Sequence, residues 1–531
     1  MLSLVTDHLL QTADPVVFGG ILGTIGLLAT LRALGKSQEK VHPSLSLPPY
    51  APGCHPILGH LLQIMRPITA QELFRQWSLV VGPVFTVQFG QKRWIILNSM
   101  DAVKDLIVSR STIYSSRDLP DALVNDIMGG VEHGGGFAFY PYGKEWRHLR
   151  RIAHSGLVKK KIDSYQPILS ERRDVLLSNI WKAQMKQEPL RLTDIIEHFT
   201  MTTVLSIAFG DICSFEPGDE KLHEAFALTE QTAAIFGPVE QLREFFPVLK
   251  KILPSRQAEY ARIRERGFEF YGGFLAQLKT LLEQEPGAVK DCFVKDILIK
   301  GELTDMQIIN LITVFVGAGS ETTASTIEWM IALLANHPEF QDRVYEEIEA
   351  YIGLDRLPDA EDEHKLPYLQ CVIHETLRLR PPAPLSVPHA TSEDDVYGNW
   401  FIPANTTVIM NLHAIQQDPV RYPEPQKFIP ERHMEYVTMN NNKQRITQTA
   451  EDRPHLGFST GRRVCVGIHL AERSLFMAAA GLLACFKFER VHQEPIQVDL
   501  PKDIRSPTFT PQPYEIRVVP RHAKVHHLFQ A

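Results

Sequence analysis

The sequence predicts a mainly helical protein with a small β region. Most of the chain has the apolar periodicity of helices, and it contains no internal repeat. Two stretches are instead rich in β-branched and aromatic residues: residues 84–98, with a turn at Gly90, and residues 396–410, with a turn at residues 403–405. Because these stretches lie far apart in the chain, we expect a β region assembled from distant segments.

The composition indicates a folded protein and excludes several classes of function. Of the 531 residues, 44% are hydrophobic and 22% are charged, which is enough apolar material for a sizeable core. A net charge of −7 argues against a nucleic-acid-binding protein. Six cysteines are scattered singly without a C-x-x-C pair, which argues against a disulfide scaffold and a cysteine-only zinc site. We expect most of them to be reduced, buried thiols.

The N-terminal segment has the pattern of a membrane anchor. Residues 16–31 are apolar and uncharged, and basic residues follow this run rather than precede it. This asymmetry predicts one transmembrane helix within residues 1–35, with the remaining chain in the cytosol. A buried glycine-rich helix stays open as an alternative, whereas a cleaved signal peptide would carry positive charge before the run. Residues 36–56 are rich in proline and predict a stiff hinge before a single domain, residues 57–531.

A long buried helix is predicted after residue 303. Thr304 and Gln307 form a capping-box pattern, and no proline follows until Pro338, so the helix can exceed 30 residues. Its first half, residues 308–320, is almost uncharged and therefore expected to be buried. Residues 317–323, G-A-G-S-E-T-T, break the rules of a stable buried helix, and such local violations mark functional positions.

The strongest local motif surrounds Cys465, which lies just before an apolar, alanine-rich helix. The helix dipole and the flanking Arg462 and Arg463 are expected to stabilise its thiolate. Gly461 permits a tight turn, and Gly467 permits close approach of another group to the backbone. Phe458 can shield the sulfur from water. A single shielded thiolate of this kind suits axial ligation of a haem iron.

This motif resembles the signature F-x-x-G-x-R-x-C-x-G of the cytochrome P-450 superfamily of haem-thiolate monooxygenases. The fixed positions of the signature are matched at Phe458, Gly461, Arg463, Cys465 and Gly467. The resemblance runs from the proline-rich hinge to the end of the chain. It implies the cytochrome P-450 fold and a haem b whose iron is bound by the Cys465 thiolate. The chain looks like the eukaryotic microsomal type, of a fungal biosynthetic enzyme.

A second motif, H-E-T-L-R, first suggests a zinc site, but Arg378 stands where the second histidine ligand would be. Glu375 and Arg378 instead lie on one helix face, placed for an ion pair. The family pairs this E-x-x-R with the arginine of a P-E-R motif, here Arg432, in a structural triad that braces the cysteine loop. His433 departs from the aromatic residue usual at the next position. Alone, the pair would be read as a surface salt bridge.

The irregular segment of the long helix matches the family pattern A/G-G-x-D/E-T-T/S. The resemblance implies that Thr322 supplies a hydroxyl beside the oxygen molecule and that Glu321 is the acid that connects it to solvent. Gly319 would make room for oxygen and loosen the helix. The alternative is that Thr322 bonds the carbonyl one turn earlier, which is common for threonine in helices.

The two haem propionates need cationic partners. Trp146 and Arg150 are four residues apart on one predicted helix face and match the family's W-x-x-x-R. Arg463 and His389 occupy the family's other propionate-contact positions. Without the resemblance, the arginines near Trp146 would be read as a solvated basic face.

The implied reaction is insertion of one atom of O2 into a C–H bond, or a related oxidation, of a lipophilic small molecule in secondary metabolism. The chain has no flavin or nicotinamide motif, so electrons would come from an NADPH-dependent diflavin reductase, with cytochrome b5 as a second donor. The expected location is the endoplasmic reticulum membrane. Two alternatives remain: a haem-thiolate enzyme that couples radicals or rearranges substrates, and a non-catalytic, membrane-tethered haem-binding or ligand-binding protein.

Two surfaces follow from the family analogy. The reductase is expected to dock on a basic patch of Lys144, Arg147, Arg151 and Arg462. Apolar or aromatic segments are expected to line the substrate pocket: residues 127–139, Phe236, Phe315, Ala318, residues 384–387 and residues 508–509.

Overall fold

A computed structural model describes residues 44–130, 136–213, 215–216, 218–236, 238–252, 256–285, 287–441 and 452–528. The predicted membrane anchor, residues 1–35, and the first part of the predicted hinge lie outside these residues.

The described chain is mainly helical, as the sequence predicts. The α-helices, in chain order, are α1 (Leu61–Ile64), α2 (Ala70–Val81), α3 (Met100–Ala102), α4 (Lys144–Leu157), α5 (Lys159–Ser164), α6 (Gln166–Gln184), α7 (Thr193–Phe209), α8 (Glu220–Ala233), α9 (Pro238–Phe245), α10 (Leu249–Ile252), α11 (Gln257–Gln284), α12 (Phe293–Lys300), α13 (Asp305–Asn336), α14 (Pro338–Tyr351), α15 (Pro367–Leu379), α16 (Leu412–Gln416), α17 (Met434–Asn441), α18 (Ile468–Cys485) and α19 (Lys524–Leu528). Short 3-10 or π segments include Val103–Ser109, Ala122–Ile127, Gly210–Cys213, Ala234–Phe236, Ala360–Lys365, Pro430–His433 and Gly461–Arg463.

The β region joins distant parts of the chain, also as predicted. The strands are β1 (Val84–Phe89), β2 (Lys92–Leu97), β3 (Ser116–Arg117), β4 (His389–Ala390), β5 (Asp395–Tyr397), β6 (Trp400–Ile402), β7 (Thr407–Met410), β8 (Phe486–Arg490) and β9 (Ile516–Pro520). Five strands form one sheet in the order β1-β2-β7-β4-β3, and β5-β6 and β8-β9 form two separate two-stranded antiparallel sheets. β1 and β2 form the expected antiparallel hairpin, while β2 pairs with β7 in parallel, with Trp94 opposite Thr407.

The long helix is α13, with 32 residues and the predicted cap: the Thr304 hydroxyl accepts from Gln307 N–H while the Gln307 side chain accepts from Thr304 N–H. The expectation that Gly319 loosens this helix is wrong, because α13 is continuous through residues 317–323. A Cβ at Gly319 would lie 3.1 Å from Cγ2 of Val204 on α7. The glycine therefore allows two helices to pack closely.

Part of the predicted hinge belongs to the folded body. Ser46 forms a bridge with Trp400, and the carbonyl of Pro49 accepts a hydrogen bond from Thr86 N–H. Ala51 is buried. The extended backbone that proline enforces leaves carbonyls available for an exposed strand edge. The packed body thus begins before residue 57, where the sequence placed its start.

Two described helical stretches are long and apolar enough to span a membrane by composition: α7 with the 3-10 turn that follows it (Thr193–Cys213), and α18 (Ile468–Cys485). Both are mostly buried within the protein, so they have the surroundings of core helices. The predicted anchor lies outside the described residues.

Candidate active site

The loop around Cys465 is held by its own backbone. Cys465 N–H donates to the carbonyl of Phe458 at 2.9 Å, which closes the loop before α18 begins. Gly461 has φ +66°, and a Cβ there would lie 2.9 Å from the carbonyl oxygen of Ile107. This position therefore requires glycine both for its backbone conformation and for space. At Gly467, a Cβ would lie 4.0 Å from the Cys465 sulfur, so little besides the thiol occupies that side.

The thiol of Cys465 is accessible, whereas four other cysteines of the chain are buried. Burial of its surroundings raises its pKa, and the backbone N–H of Gly467 and the charge of Arg150 oppose this without cancelling it. The arginines expected to stabilise the thiolate, Arg462 and Arg463, are not the groups that lower this pKa. Arg462 turns away to Ser111 and Tyr142, and the effective cation is Arg150 on α4.

Arginine and histidine side chains gather beside the cysteine loop, among them three of the predicted propionate contacts. The guanidinium carbon of Arg463 lies 4.2 Å from the ring centroid of Trp146, and Arg150 donates to the carbonyl of Val464 at 2.5 Å. Strand pairing places Arg117 opposite His389, so both side chains join this cluster. No sequence motif marks Arg117, and only the fold places it here.

Two arginines and one histidine of this group have nitrogens without a hydrogen-bond partner among the described residues. Arg463 Nη1, His389 Nε2 and Arg117 Nε are buried without a hydrogen-bond partner among the described residues. Burial, with the nearby charges of Arg117 and Arg150, lowers the pKa of Arg463 to about 8. Burial and Arg150 likewise lower the pKa of Arg117 to about 9. Clustered, unneutralised cations with unused N–H groups fit an anionic ligand with two carboxylates.

The E-x-x-R helix, α15, forms the predicted triad and adds a fourth member. The Glu375 carboxylate accepts two hydrogen bonds from Arg378, both at 2.8 Å, and one from Arg432 at 3.1 Å. His433 Nε2 lies 2.7 Å from Glu375 Oε2, so the unusual residue at this position is a direct partner of the carboxylate. Burial would raise the pKa of Glu375, but hydrogen bonds to Arg378 and His433 outweigh it and hold it at about 2.

Glu321 and Thr322, the predicted catalytic residues of α13, lie in different surroundings. Thr322 Oγ1 donates to the carbonyl of Ala318 at 2.7 Å, which is the local helix bond expected as the alternative role of this threonine. Burial first, and then the charge of Glu197, raises the pKa of Glu321 to about 7, although a hydrogen bond with Thr508 opposes the shift.

Comparison with known proteins identifies the family. The family model for cytochrome P450 matches residues 48–518, most of the chain. The chain belongs to the cytochrome P450 family. It is 32% identical over 505 residues to cytochrome P450 monooxygenase 69 of Postia placenta, covering 88% of this chain and 86% of the relative.

Two further relatives come from Aspergillus species. Cytochrome P450 monooxygenase fogE of Aspergillus ruber is 32% identical over 488 residues, covering 89% of this chain and 87% of the relative. Cytochrome P450 monooxygenase patI of Aspergillus clavatus is 30% identical over 500 residues, covering 90% of this chain and 88% of the relative. The chain is thus an enzyme of the P450 monooxygenase class, and the family binds haem through a cysteine thiolate.

A cavity of about 900 Å³ lies on the Glu321 side of α13 in this cytochrome P450. Phe236 and Thr508, two of the predicted pocket residues, line it together with Glu321. The structure adds four further carboxylates to this cavity, Glu197, Glu230, Glu328 and Asp503, which no sequence motif marks. Phe509 was also predicted to line a pocket, but its ring stacks on Trp329 at 5.3 Å between centroids, so it packs in the core.

The predicted docking residues of this cytochrome P450 are all exposed: Lys144, Arg147, Arg151 and Arg462. The guanidinium carbons of Arg147 and Arg462 both lie 5.5 Å from the ring centroid of Tyr142, so two charges of the patch contact the same ring. Arg151 pairs with Glu302 at 2.9 Å, and this acid reduces the positive charge of the patch on one side.

Proposed function

We propose that this cytochrome P450 is a membrane-bound haem-thiolate monooxygenase in which Cys465 is the axial ligand of the haem iron. It oxidises a lipophilic small molecule of secondary metabolism with O2 and with electrons that originate from NADPH. The observation that carries the assignment is the accessible Cys465 thiol beside a group of arginine and histidine side chains with buried, unpaired nitrogens. A thiolate ligand and a dianionic macrocycle explain both features together.

The haem supplies the redox chemistry that activates O2. Arg463, Arg117 and His389 would hold the two propionates, because each has an unused nitrogen at the cluster. A negative charge there favours the protonated form of His389, whose Nδ1 already donates to the carbonyl of Tyr114. Trp146 lies under Arg463 and holds its guanidinium plane in place.

Glu321 and Thr322 would move protons. With its pKa near 7, the Glu321 carboxyl can both release and regain a proton at neutral pH. It lines the cavity of about 900 Å³, through which solvent can reach it. Thr322 Oγ1 occupies the next position on α13 and can exchange its bond to Ala318 for one to the reacting oxygen.

Electrons would arrive from an NADPH-dependent diflavin reductase, or from cytochrome b5, at the basic patch defined by Lys144, Arg147, Arg151 and Arg462. Both donors are expected on the same membrane, the endoplasmic reticulum, to which residues 1–35 would anchor the cytosolic domain. The patch is carried by α4 and by the cysteine loop, so a docked partner would sit on the thiolate side.

The deciding experiment is the carbon monoxide difference spectrum of the reduced, detergent-solubilised protein. Wild type is expected to give the strongly red-shifted Soret band of thiolate-bound haem, and Cys465→Ser is expected to lose it. A band of the imidazole type in the wild type would reject Cys465 as the ligand. Well-folded protein without haem would reject the proposal as a whole.

The proton-transfer step has its own matched pair of variants. Thr322→Ala should lower the product formed per NADPH roughly tenfold or more, because the proton donor is lost. Thr326→Ala is the control, since Thr326 makes the same bond one turn further, to the carbonyl of Thr322, at 2.8 Å. Equal effects of both substitutions would assign Thr322 to helix structure alone.

A further inference from the structure

The segment just before the cysteine loop, residues 455–457, is bound by side chains that belong to no family motif matched above. Gln416, at the end of α16, is completely buried. Its side-chain oxygen accepts a hydrogen bond from Leu456 N–H at 2.6 Å, and its side-chain nitrogen donates to the carbonyl of Arg378 at 2.8 Å. Arg378 Nη1 in turn donates to the backbone carbonyl of Gln416 at 2.7 Å. One amide therefore links the buried arginine of α15 to the chain that enters the loop.

A histidine pair makes a second link between α15 and the same segment. His374 Nδ1 lies 3.3 Å from His455 Nε2, and His455 Nδ1 accepts from Gly457 N–H at 3.0 Å. Since His455 Nδ1 is an acceptor, its proton is on Nε2, which donates to His374. Burial lowers the pKa of His374 to about 3, so both rings are neutral as this arrangement requires.

The two links act on the same short stretch. A Cβ at Gly457 would lie 3.5 Å from the carbonyl oxygen of Leu377 on α15, so this stretch also packs directly on the helix. Phe458 follows immediately, and its carbonyl accepts the Cys465 N–H. Residues 455–457 therefore connect α15 to the cysteine loop, so the placement of α15 determines where the thiol lies.

We propose that Gln416 and the His374–His455 pair are positioning residues that fix the cysteine loop against the buried Glu375–Arg378 pair. The inference rests on the proposed function, in which Cys465 is the haem ligand. Without these contacts, the loop keeps its sequence and its cysteine, but the distance between the thiol and the haem site is no longer held. Loss of thiolate ligation should then precede loss of the fold.

Gln416→Met tests the first link, because methionine has a similar shape and cannot bond Leu456 or Arg378. Gln341→Met is the matched control. Gln341 is also completely buried, and its side chain bonds the backbone of Leu334 and Phe488 at 2.8–2.9 Å, away from the cysteine loop. Both substitutions leave buried backbone groups unpaired, so both should lower the unfolding midpoint measured by circular dichroism.

The readout is the lifetime of the red-shifted carbon monoxide band of the full-length haem protein, at a temperature below unfolding. Gln416→Met should lose this band roughly tenfold faster than wild type, the factor expected for losing about 1.4 kcal/mol. Gln341→Met should stay within about twofold of wild type. Equal acceleration in both variants, or in neither, would overturn the proposal. A wild type without the red-shifted band would instead overturn the proposed function.

The histidine link gives an independent test if Gln416→Met does not fold. His455→Asn keeps an acceptor for Gly457 N–H but loses the bond to His374, and His374→Phe cuts the same bond from the other side. Each should shorten the lifetime of the band a few-fold, and the double variant should be no worse than either single one. Fully additive effects would show that the two rings do not act as a unit and would contradict the proposal.

Discussion

The guanidinium carbon of Arg463 lies 4.2 Å from the ring centroid of Trp146, although the two residues are more than 300 positions apart in the chain. Arg463 also donates to the carbonyls of Ser115 and Tyr140, yet its Nη1 has no partner among the described residues. The Arg463 side chain is thus held in place by Trp146 and two carbonyls, while its Nη1 still lacks a hydrogen-bond partner among the described residues. A buried arginine held in this way is prepared to receive an anion.

Arg463→Met should weaken haem retention. A hydrogen bond to a charged group contributes about 1.5–3 kcal/mol, so haem should leave roughly 10 to 100 times faster. The measurement is transfer of haem to an excess of a competing haem-binding protein. Arg462→Met is the control, because the neighbouring arginine points away to Ser111 and Tyr142. Similar rates for the two variants would remove Arg463 from the propionate site.

Glu375→Gln should destabilise the protein by about 3–5 kcal/mol, because it leaves Arg378 as an uncompensated buried charge. The check is the free energy of unfolding in denaturant. Glu431→Gln serves as the control, since Glu431 pairs with Arg343 at the surface and such pairs contribute about 0–1 kcal/mol. A cost for Glu375→Gln no larger than that of its control would contradict a structural role for the triad.

The same carboxylate predicts an acid limit to stability. The pKa of Glu375 is held at about 2, below the value of about 4.3 for an unfolded glutamate. Its contribution is therefore present above pH 4.3 and is lost as the pH falls towards 2. In the Glu375→Gln variant, the corresponding part of the pH dependence should be missing.

Glu328→Gln should stabilise the protein at alkaline pH. Glu328 is buried and lines the acidic cavity, and burial raises its pKa to about 7, although a hydrogen bond with Thr193 opposes the shift. A raised pKa means that the folded state loses stability as the pH rises through 4.5 to 7. The gain should be roughly 1–3 kcal/mol at pH 8.5 and near zero at pH 4. Glu346→Gln, at an exposed position of α14, should change little at either pH.

Charge reversal on the basic patch should slow electron delivery. Arg147→Glu combined with Arg462→Glu places two acids beside Tyr142, where a reductase with an acidic surface would dock. The rate of haem reduction should fall roughly tenfold at low salt, and the difference should shrink as salt screens the charges. The haem of the control variant Lys186→Glu, changed at an exposed site after α6, should be reduced at the wild-type rate. Unchanged reduction in the double variant would place the docking site elsewhere.

Features encoded by residues close in the chain could be predicted from the sequence. The cap of α13 needs only Thr304 and Gln307, and the Glu375–Arg378 pair lies on one turn of one helix. In contrast, the cation that acts on Cys465 arrives on α4, more than 300 residues earlier. Gln416 and Arg117 carry no motif, because their roles arise from backbone groups that become neighbours only in the folded chain.

The parallel pairing of β2 with β7 limits how this protein can be made. Trp94 on β2 pairs with Thr407 on β7, which is synthesised more than 300 residues later. The β2–β7 part of the sheet cannot form before then. A ribosome adds about 5–20 residues per second, so the apolar edge of β2 stays unpaired for roughly 15–60 s during translation. An exposed strand edge of this kind recruits wrong partners. Synthesis of this protein should therefore depend on chaperones that cover the first hairpin until the C-terminal third has emerged.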